Sequence, residues 1–348
     1  MQAARRTGSA NLPLHGGKAP AWLFGRMVRL SRAVLGHMTS EYGPEEVLRR
    51  LSDPFWFQAL GCVLGFDWHS SGVTTTTCGA LKEAVRGNEA HFGLWVAGGK
   101  GKASRLAPPE IARACDVTGA DGDALVRASK LAAKVDNTAV QSGHRLYHHS
   151  FFLTARGSWA VVQQGMRPDD RTARRFHWLG EQVESFVEEP HAAVCADGRG
   201  EEVMNLVARE SRAARSSIVD LVLELPRRHG LVVAADVHPR HLEKVLVATY
   251  ENPPADFEAL LGVQGLGPKT LRALALVAEL VYGTPASTRD PARFAFAHGG
   301  KDGTPHPVDR ETYDKTIETL TAAVSGRDVD RRERVAALRR LTTPWPDA

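Results

Sequence analysis

Asp67, His69, Ser70, Ser71 and Thr74 to Thr76 are crowded into one hydroxyl-rich stretch, FDWHSSGVTTTT, where helical and strand periodicity both fail and a loop is expected. A carboxylate and an imidazole two residues apart suit a hard or borderline cation. A second set, Lys130, Lys134, Asp136 and Asn137, falls within residues 122–140, a helical pattern in which Lys130 and Lys134 share a face at i, i+4. His144, His148 and His149 open a strand-like run, and alternation sends His148 and His149 to opposite faces, so only one of them can line a given pocket. If the three segments converge, Asp67, His69, Asp136 and one of His148 or His149 hold a divalent metal, Mg2+, Mn2+ or Zn2+, and activate water at a phosphodiester. Of the two histidines, His148 is taken as the ligand. The same residues also read as a polar, hydrogen-bonded layer in a mixed core.

A different chemistry is written in FEALLGVQGLGPKTLRALALVAELVYG, Phe257 to Gly283. A short apolar helix meets a tight Gly265-Leu266-Gly267 turn, and Pro268 opens a second helix. Glycines let the backbone approach a ligand closely, and the first N–H groups of the second helix have no partner within it. With the positive end of the helix dipole they form a seat for phosphate. Lys269, Thr270 and Arg272 surround it, and Lys100, Lys102 and Lys301 sit in two further glycine-rich turns. Contacts of this kind position a phosphate backbone without reading bases.

Residues 256–283 resemble the helix-hairpin-helix motif of DNA repair and replication proteins, whose pattern is apolar helix, G-h-G, apolar helix. The resemblance implies sequence-independent DNA binding. Among DNA glycosylases with this hairpin, those that also cut the backbone carry a lysine in G-h-G-x-K and a catalytic Asp after a Gly/Pro-rich loop. Lys269 and Asp309, the latter ending HGGKDGTPHPVD, match those two positions, and the resemblance implies a Schiff-base lyase with Asp309 assisting. The spacing is longer than in the compact pattern, and Arg-Glu-Thr follows Asp309. His69-Ser70-Ser71 and His148-His149-Ser150 are also similar to the paired H-x-S/T strings of metal-free phosphoesterases, with a polar residue where those have an apolar one.

Several elements must hold these groups in place. Helices are expected over 19–41, from Pro44 to Leu51 and from Pro54 to Leu64, with Phe55, Trp56 and Phe57 in a core. HFGLWVA reads as a strand leading into a basic glycine loop, AGGKGKAS, and LYHHSFFLTARGSWAVVQQGM as a β-hairpin turning at Ala155 to Ser158. The Pro and Gly content of residues 188–200 suggests a linker, and helices are expected at about 201–225, 239–250, 254–261, 268–282, 309–324 and 328–341. The fold class is therefore α+β: a mixed α/β domain over 1–187, then an all-helical domain over 201–348.

The composition of the 348 residues, with 43% hydrophobic and 24% charged, excludes a chain that is disordered throughout. The excess of 44 basic over 40 acidic residues identifies no polyanion by itself, so placement of charge has to decide. No apolar run is long enough to span a membrane, the N-terminus lacks the core of a secretion signal, and a cytoplasmic protein is expected. The four scattered cysteines suggest buried thiols. LPLHGGKAPAWL, LSDPFWFQALGCVLGFDWHSSGVTT, YHHSFF, WAVVQQGM and RDPARFAFAHGGKDG resemble the family called domain of unknown function 763 over nearly the whole chain. That resemblance implies a shared architecture and no reaction. The sequence reading is a DNA-binding protein of repair or processing: a nuclease or phosphoesterase anchored by the hairpin, a glycosylase or lyase, or a non-catalytic adaptor.

Overall fold

The computed structural model describes residues 19–65, 72–167, 169, 172–196, 203–224, 239–292, 318–326 and 330–342. Its centre is a five-stranded antiparallel sheet in the order β1 (Leu94–Lys100), β3 (Arg145–Thr154), β4 (Trp159–Arg167), β5 (Thr172–Leu179), β6 (Ala193–Ala196). β2 (Val140–Gln141) pairs separately with β7 (Met204–Asn205). The fold is α+β, and the hairpin read from the sequence is β3 and β4, joined at residues 155–158.

Both faces of the sheet are covered. On one lie α1 (Ala21–Tyr42), α2 (Pro44–Ser52), α3 (Pro54–Val63) and α4 (Gly72–Val85), which pack Met27, Leu48, Trp56 and Leu81 against Phe152, Ala160 and Val162. On the other, α6 (Ala107–Thr118) and α7 (Gly122–Lys134) pack with α8 (Arg212–Glu224), α10 (Phe257–Gly262) and α11 (Pro268–Tyr282) around Phe151, Val161, Phe176 and Trp178. A short α5 (Glu89–Phe92) precedes β1, and α9 (Pro239–Glu251) lies between α8 and α10. Prolines at the first positions of α2, α3 and α11 set those starts, because a missing N–H costs nothing there. Asp53, Asp121 and Asp256 cap α3, α7 and α10 by accepting backbone N–H groups.

Several expectations are corrected. Residues 72–77 are not loop: they form the first turns of α4, whose Val73, Thr74 and Thr77 are buried. Burial outweighs the weak helix propensity of a threonine run. Residues 97–100 are strand rather than a glycine loop; Gly98 N–H donates to Glu110 Oε2 at 2.7 Å and Lys82 Nζ to Gly98 O at 2.8 Å. Residues 193–196, placed in the linker, are β6, a fully buried strand at the edge of the sheet. The region beyond residue 201 is not entirely helical, since it opens with β7, and α8 begins only at Arg212. Helices α8 to α11 share one apolar cluster with the sheet, while Leu320, Ala323, Val324 and Ala337 join the cluster of α1 to α4 on its other face. Among the described residues no helix is long and apolar enough to cross a membrane.

Gly98 is obligate. Its φ is 84°, and a Cβ there would lie 2.2 Å from the backbone oxygen of His149. Gly98→Ala is expected to cost about 3 kcal/mol through strain and displacement of β1 from β3. A urea midpoint equal to wild type would contradict that packing.

Candidate functional site

A cleft of about 900 Å3 runs between α7 and the α10 to α11 connection, lined by Arg127, Lys130, Lys134, Asn137, Gly267 and Pro268 among others. Lys130 and Lys134 face it together, as their i, i+4 spacing requires. The connection, residues 263–267, turns at Gly265, whose φ of 89° favours glycine, and buries Leu266. Gly267 is extended, with φ −115° and ψ 176°, and nothing lies within 4 Å of where its Cβ would be. Its carriage of glycine is therefore explained by neither backbone strain nor packing.

The turn is tied to the sheet-bearing half of the chain. Lys134 Nζ donates to Leu266 O, Gln141 Nε2 donates to Pro268 O at 2.7 Å, and Arg272 Nε donates to Gln141 Oε1 at 3.0 Å. Burial lowers the pKa of the Lys134 ammonium. Arg127 spans the cleft to Glu258. A smaller pocket of about 230 Å3 adjoins it, sharing Lys130, Ala133 and Leu146 and adding Arg105, Ser129, Tyr147, His148 and His149.

Beneath this smaller pocket runs a continuous polar chain. His149 Nε2 lies 2.8 Å from Ser129 Oγ and its Nδ1 lies 2.9 Å from Gln163 Oε1. Gln163 Nε2 donates to Asp136 Oδ2 at 2.6 Å, Trp178 Nε1 donates to the same oxygen at 2.9 Å, and His191 Nε2 lies 2.5 Å from Oδ1. Asp136 reaches these partners because α7 ends in a single π-helical turn, Val135–Ala139, in place of a continued α-helix to 140. Such an insertion shifts the register of the side chains and recurs at functional sites. Burial pushes the Asp136 carboxyl up, and its bonds to His191 and Trp178 pull it down. Burial pushes His149 down to about 4 and His148 to about 3, with His149 and Lys100 adding to the effect on His148.

Of the expected metal set, only Asp136 and His148 lie in the described residues, and they stand on opposite faces of the sheet. Asp136 lies on the α7 side of the sheet, and there it is His149, not His148, that approaches it, through Gln163. His148 points to the opposite face, where Nε2 meets Ser150 Oγ at 3.1 Å and Nδ1 has no partner among the described residues. Strand alternation is the reason: His149 and Phe151 share the α7 face, whereas His148 shares a face with Ser150 and Phe152. Among the described residues no three His, Cys, Asp or Glu are grouped to hold a metal. Asp67 and His69, Asp309 and Lys301 lie outside the described residues.

Lys269 and Arg272 are exposed on the first turns of α11, but Thr270 between them is buried, 5% exposed. Lys100 and Lys102 are exposed beyond the β1 end, with Lys100 Nζ 5.9 Å from the Tyr147 ring centroid. Cys78, Cys115 and Cys195 are buried, Cys62 partly so, and desolvation pushes Cys78 and Cys195 up to about 12.

Ser129, Gln163, Trp178 and His191 escaped the sequence reading. A signal existed in Gln163-Gln164, an uncharged polar pair inside the central strand of an apolar run, where burial demands partners. Ser129 carried none, sitting mid-helix among alanines and lysines.

The family model described as Protein of unknown function (DUF763) matches residues 8–308. Neither a curated protein nor a solved structure matches the chain. The matched span takes in the sheet, the polar chain, both pockets and the α10 to α11 turn, and the chain belongs to the DUF763 family.

Proposed function

We propose that this protein binds DNA by its phosphate backbone, without base recognition, at the cleft between α7 and the α10 to α11 turn, and that it cleaves phosphodiesters in DNA repair or processing. The observation that carries the reading is convergence. The glycine turn, the start of α11 and the cations Arg127, Lys130 and Lys134 border one cleft, although more than a hundred residues separate them in sequence. A helix-hairpin-helix used in this way presents backbone N–H groups to a phosphate while lysines supply unspecific charge. The open space over Gly267 supports close approach of a ligand.

The lyase alternative keeps one supporting observation, and it moves the nucleophile. Burial lowers the pKa of the Lys134 ammonium, whereas Lys269 is exposed. The divalent-metal reading has less support, because Asp136 is already held by three donors and His148 faces away.

Fluorescence anisotropy with a labelled duplex tests the binding. Affinity is expected to fall at least tenfold between about 50 mM and about 300 mM salt. Gly267→Ala is expected to weaken it about tenfold with an unchanged melting temperature, because its methyl enters the cleft and not the core. Salt-independent binding, or a Gly267→Ala protein that binds as wild type does, removes the phosphate-seat reading.

A further inference from the structure

With Asp136 ionised, or carrying its proton on Oδ1, the hydrogen bonds beneath the smaller pocket have one consistent direction. The Trp178 indole can only donate, so Asp136 Oδ2 is an acceptor whether or not Oδ1 carries a proton. Gln163 must then present its amide nitrogen to Oδ2 and its oxygen to His149. That oxygen requires a proton on His149 Nδ1, which leaves a lone pair on Nε2. The hydroxyl of Ser129, 2.8 Å away, donates to it. Imidazole, an oriented acceptor behind it and a hydroxyl in front are the arrangement in which a serine becomes a nucleophile.

A buried Ser–His contact can also be a mere staple between α7 and β3. Two observations go beyond that. Ser129 and His149 both line a pocket of about 230 Å3 that shares Lys130, Ala133 and Leu146 with the larger cleft as a common wall. The same pocket carries Arg105 and Lys130, cations able to face a tetrahedral anion. Its volume admits a phosphoryl group. Asp136 and Gln163 are positioning residues, holding one tautomer of His149 from behind.

We propose that Ser129 is a catalytic nucleophile and His149 its general base, acting on a phosphodiester of the strand held in the neighbouring cleft. The choice of DNA as substrate rests on the binding reading above; the nucleophilic centre does not. Ser129 Oγ attacks phosphorus as its proton passes to His149 Nε2. The bond from phosphorus to the leaving oxygen breaks, and that oxygen takes the proton from His149. A phosphoserine diester remains on Ser129. Water, deprotonated by His149, attacks the same phosphorus and releases the serine, which recovers the proton. No oxidant, reductant or metal enters the balance.

The full-length protein is incubated with a fluorophosphonate probe, and separately with bis(4-nitrophenyl) phosphate. The expected results are one adduct mapped by peptide mass to Ser129 and a burst of one equivalent of nitrophenolate, both lost in Ser129→Ala and at least a hundredfold slower in His149→Gln. Gln163→Leu is expected to lose labelling while Gln163→Glu, which keeps an acceptor for His149 Nδ1, retains it. A merely structural glutamine would not separate the two. Absence of an adduct on wild-type protein, or an adduct at another residue, overturns the proposal. An adduct at Ser129 without a burst overturns the phosphodiester and puts a carboxyl ester in its place. Labelling that persists in a protein shown not to bind DNA would sink the DNA substrate and leave the nucleophile standing.

Discussion

Acidification from about pH 6.5 to about pH 5 is expected to strip this protein of several kcal/mol of folding stability, well before exposed carboxylates titrate. Three buried histidines are responsible. His148 and His149 are held down to about 3 and about 4 from an ordinary 6.5, and His177 lies well below 6.5, in each case chiefly because burial penalises the cation. Arg175 adds to the effect at His177. In the unfolded chain all three take up protons near pH 6.5, whereas the folded chain refuses them until much lower pH. Their contribution is therefore complete above 6.5 and is lost progressively as pH falls towards 4 for His149 and 3 for His148. Each histidine adds a slope of about 1.4 kcal/mol per pH unit, so three give about 4 kcal/mol per unit. Against a typical stability of about 5 to 15 kcal/mol, that is a large fraction of the total. Urea midpoints at about pH 7.5, 6 and 5 measure the slope, and His148→Asn should reduce it by about one third. A midpoint that stays constant over that range would mean that the three rings are not buried as described.

Asp136→Ala is expected to cost about 3 to 5 kcal/mol, the largest effect of any single side-chain truncation in the site. The carboxylate makes few apolar contacts to lose; what it leaves behind is the expense. Trp178 Nε1, Gln163 Nε2 and His191 Nε2 would all point at an empty space in a region largely shielded from water. Asp136→Asn is the informative companion. Its oxygen can still accept from Trp178 and Gln163, and its nitrogen can donate to the lone pair of a neutral His191, so a cost below about 2 kcal/mol is expected. Chemical denaturation of both variants at neutral pH decides the matter. Equal losses would show that charge, not hydrogen-bond direction, holds the chain together, and the assigned tautomer of His149 would lose its support.

Much of the local structure was legible because its causes are local. Pro44, Pro54 and Pro268 start helices wherever they stand before an apolar periodic run, and the β3 to β4 hairpin follows from two apolar runs around a short polar turn. The threonine run at 74–77 misled because propensity was outvoted by packing. Gly61 on α3 has no side chain, and a Cβ there would lie 2.2 Å from Val73, so α4 settles closely against α3. β6 was missed for a similar reason: AVCA is too short to show alternation, and only the neighbouring strand β5 makes it a strand.

The candidate site divides along the same line. Residue types and spacing alone established the glycine turn, the pairing of Lys130 with Lys134 on one helix face, and the rule that His148 and His149 part company across a sheet. The tertiary structure decided which histidine faces Asp136. Register places His149 opposite Gln163, and one π turn swings Asp136 behind it. Both depend on contacts between residues distant in sequence, which no local pattern encodes. Hydrogen bonds of 2.6 to 2.9 Å then distinguish a connected chain from a coincidence of polar residues.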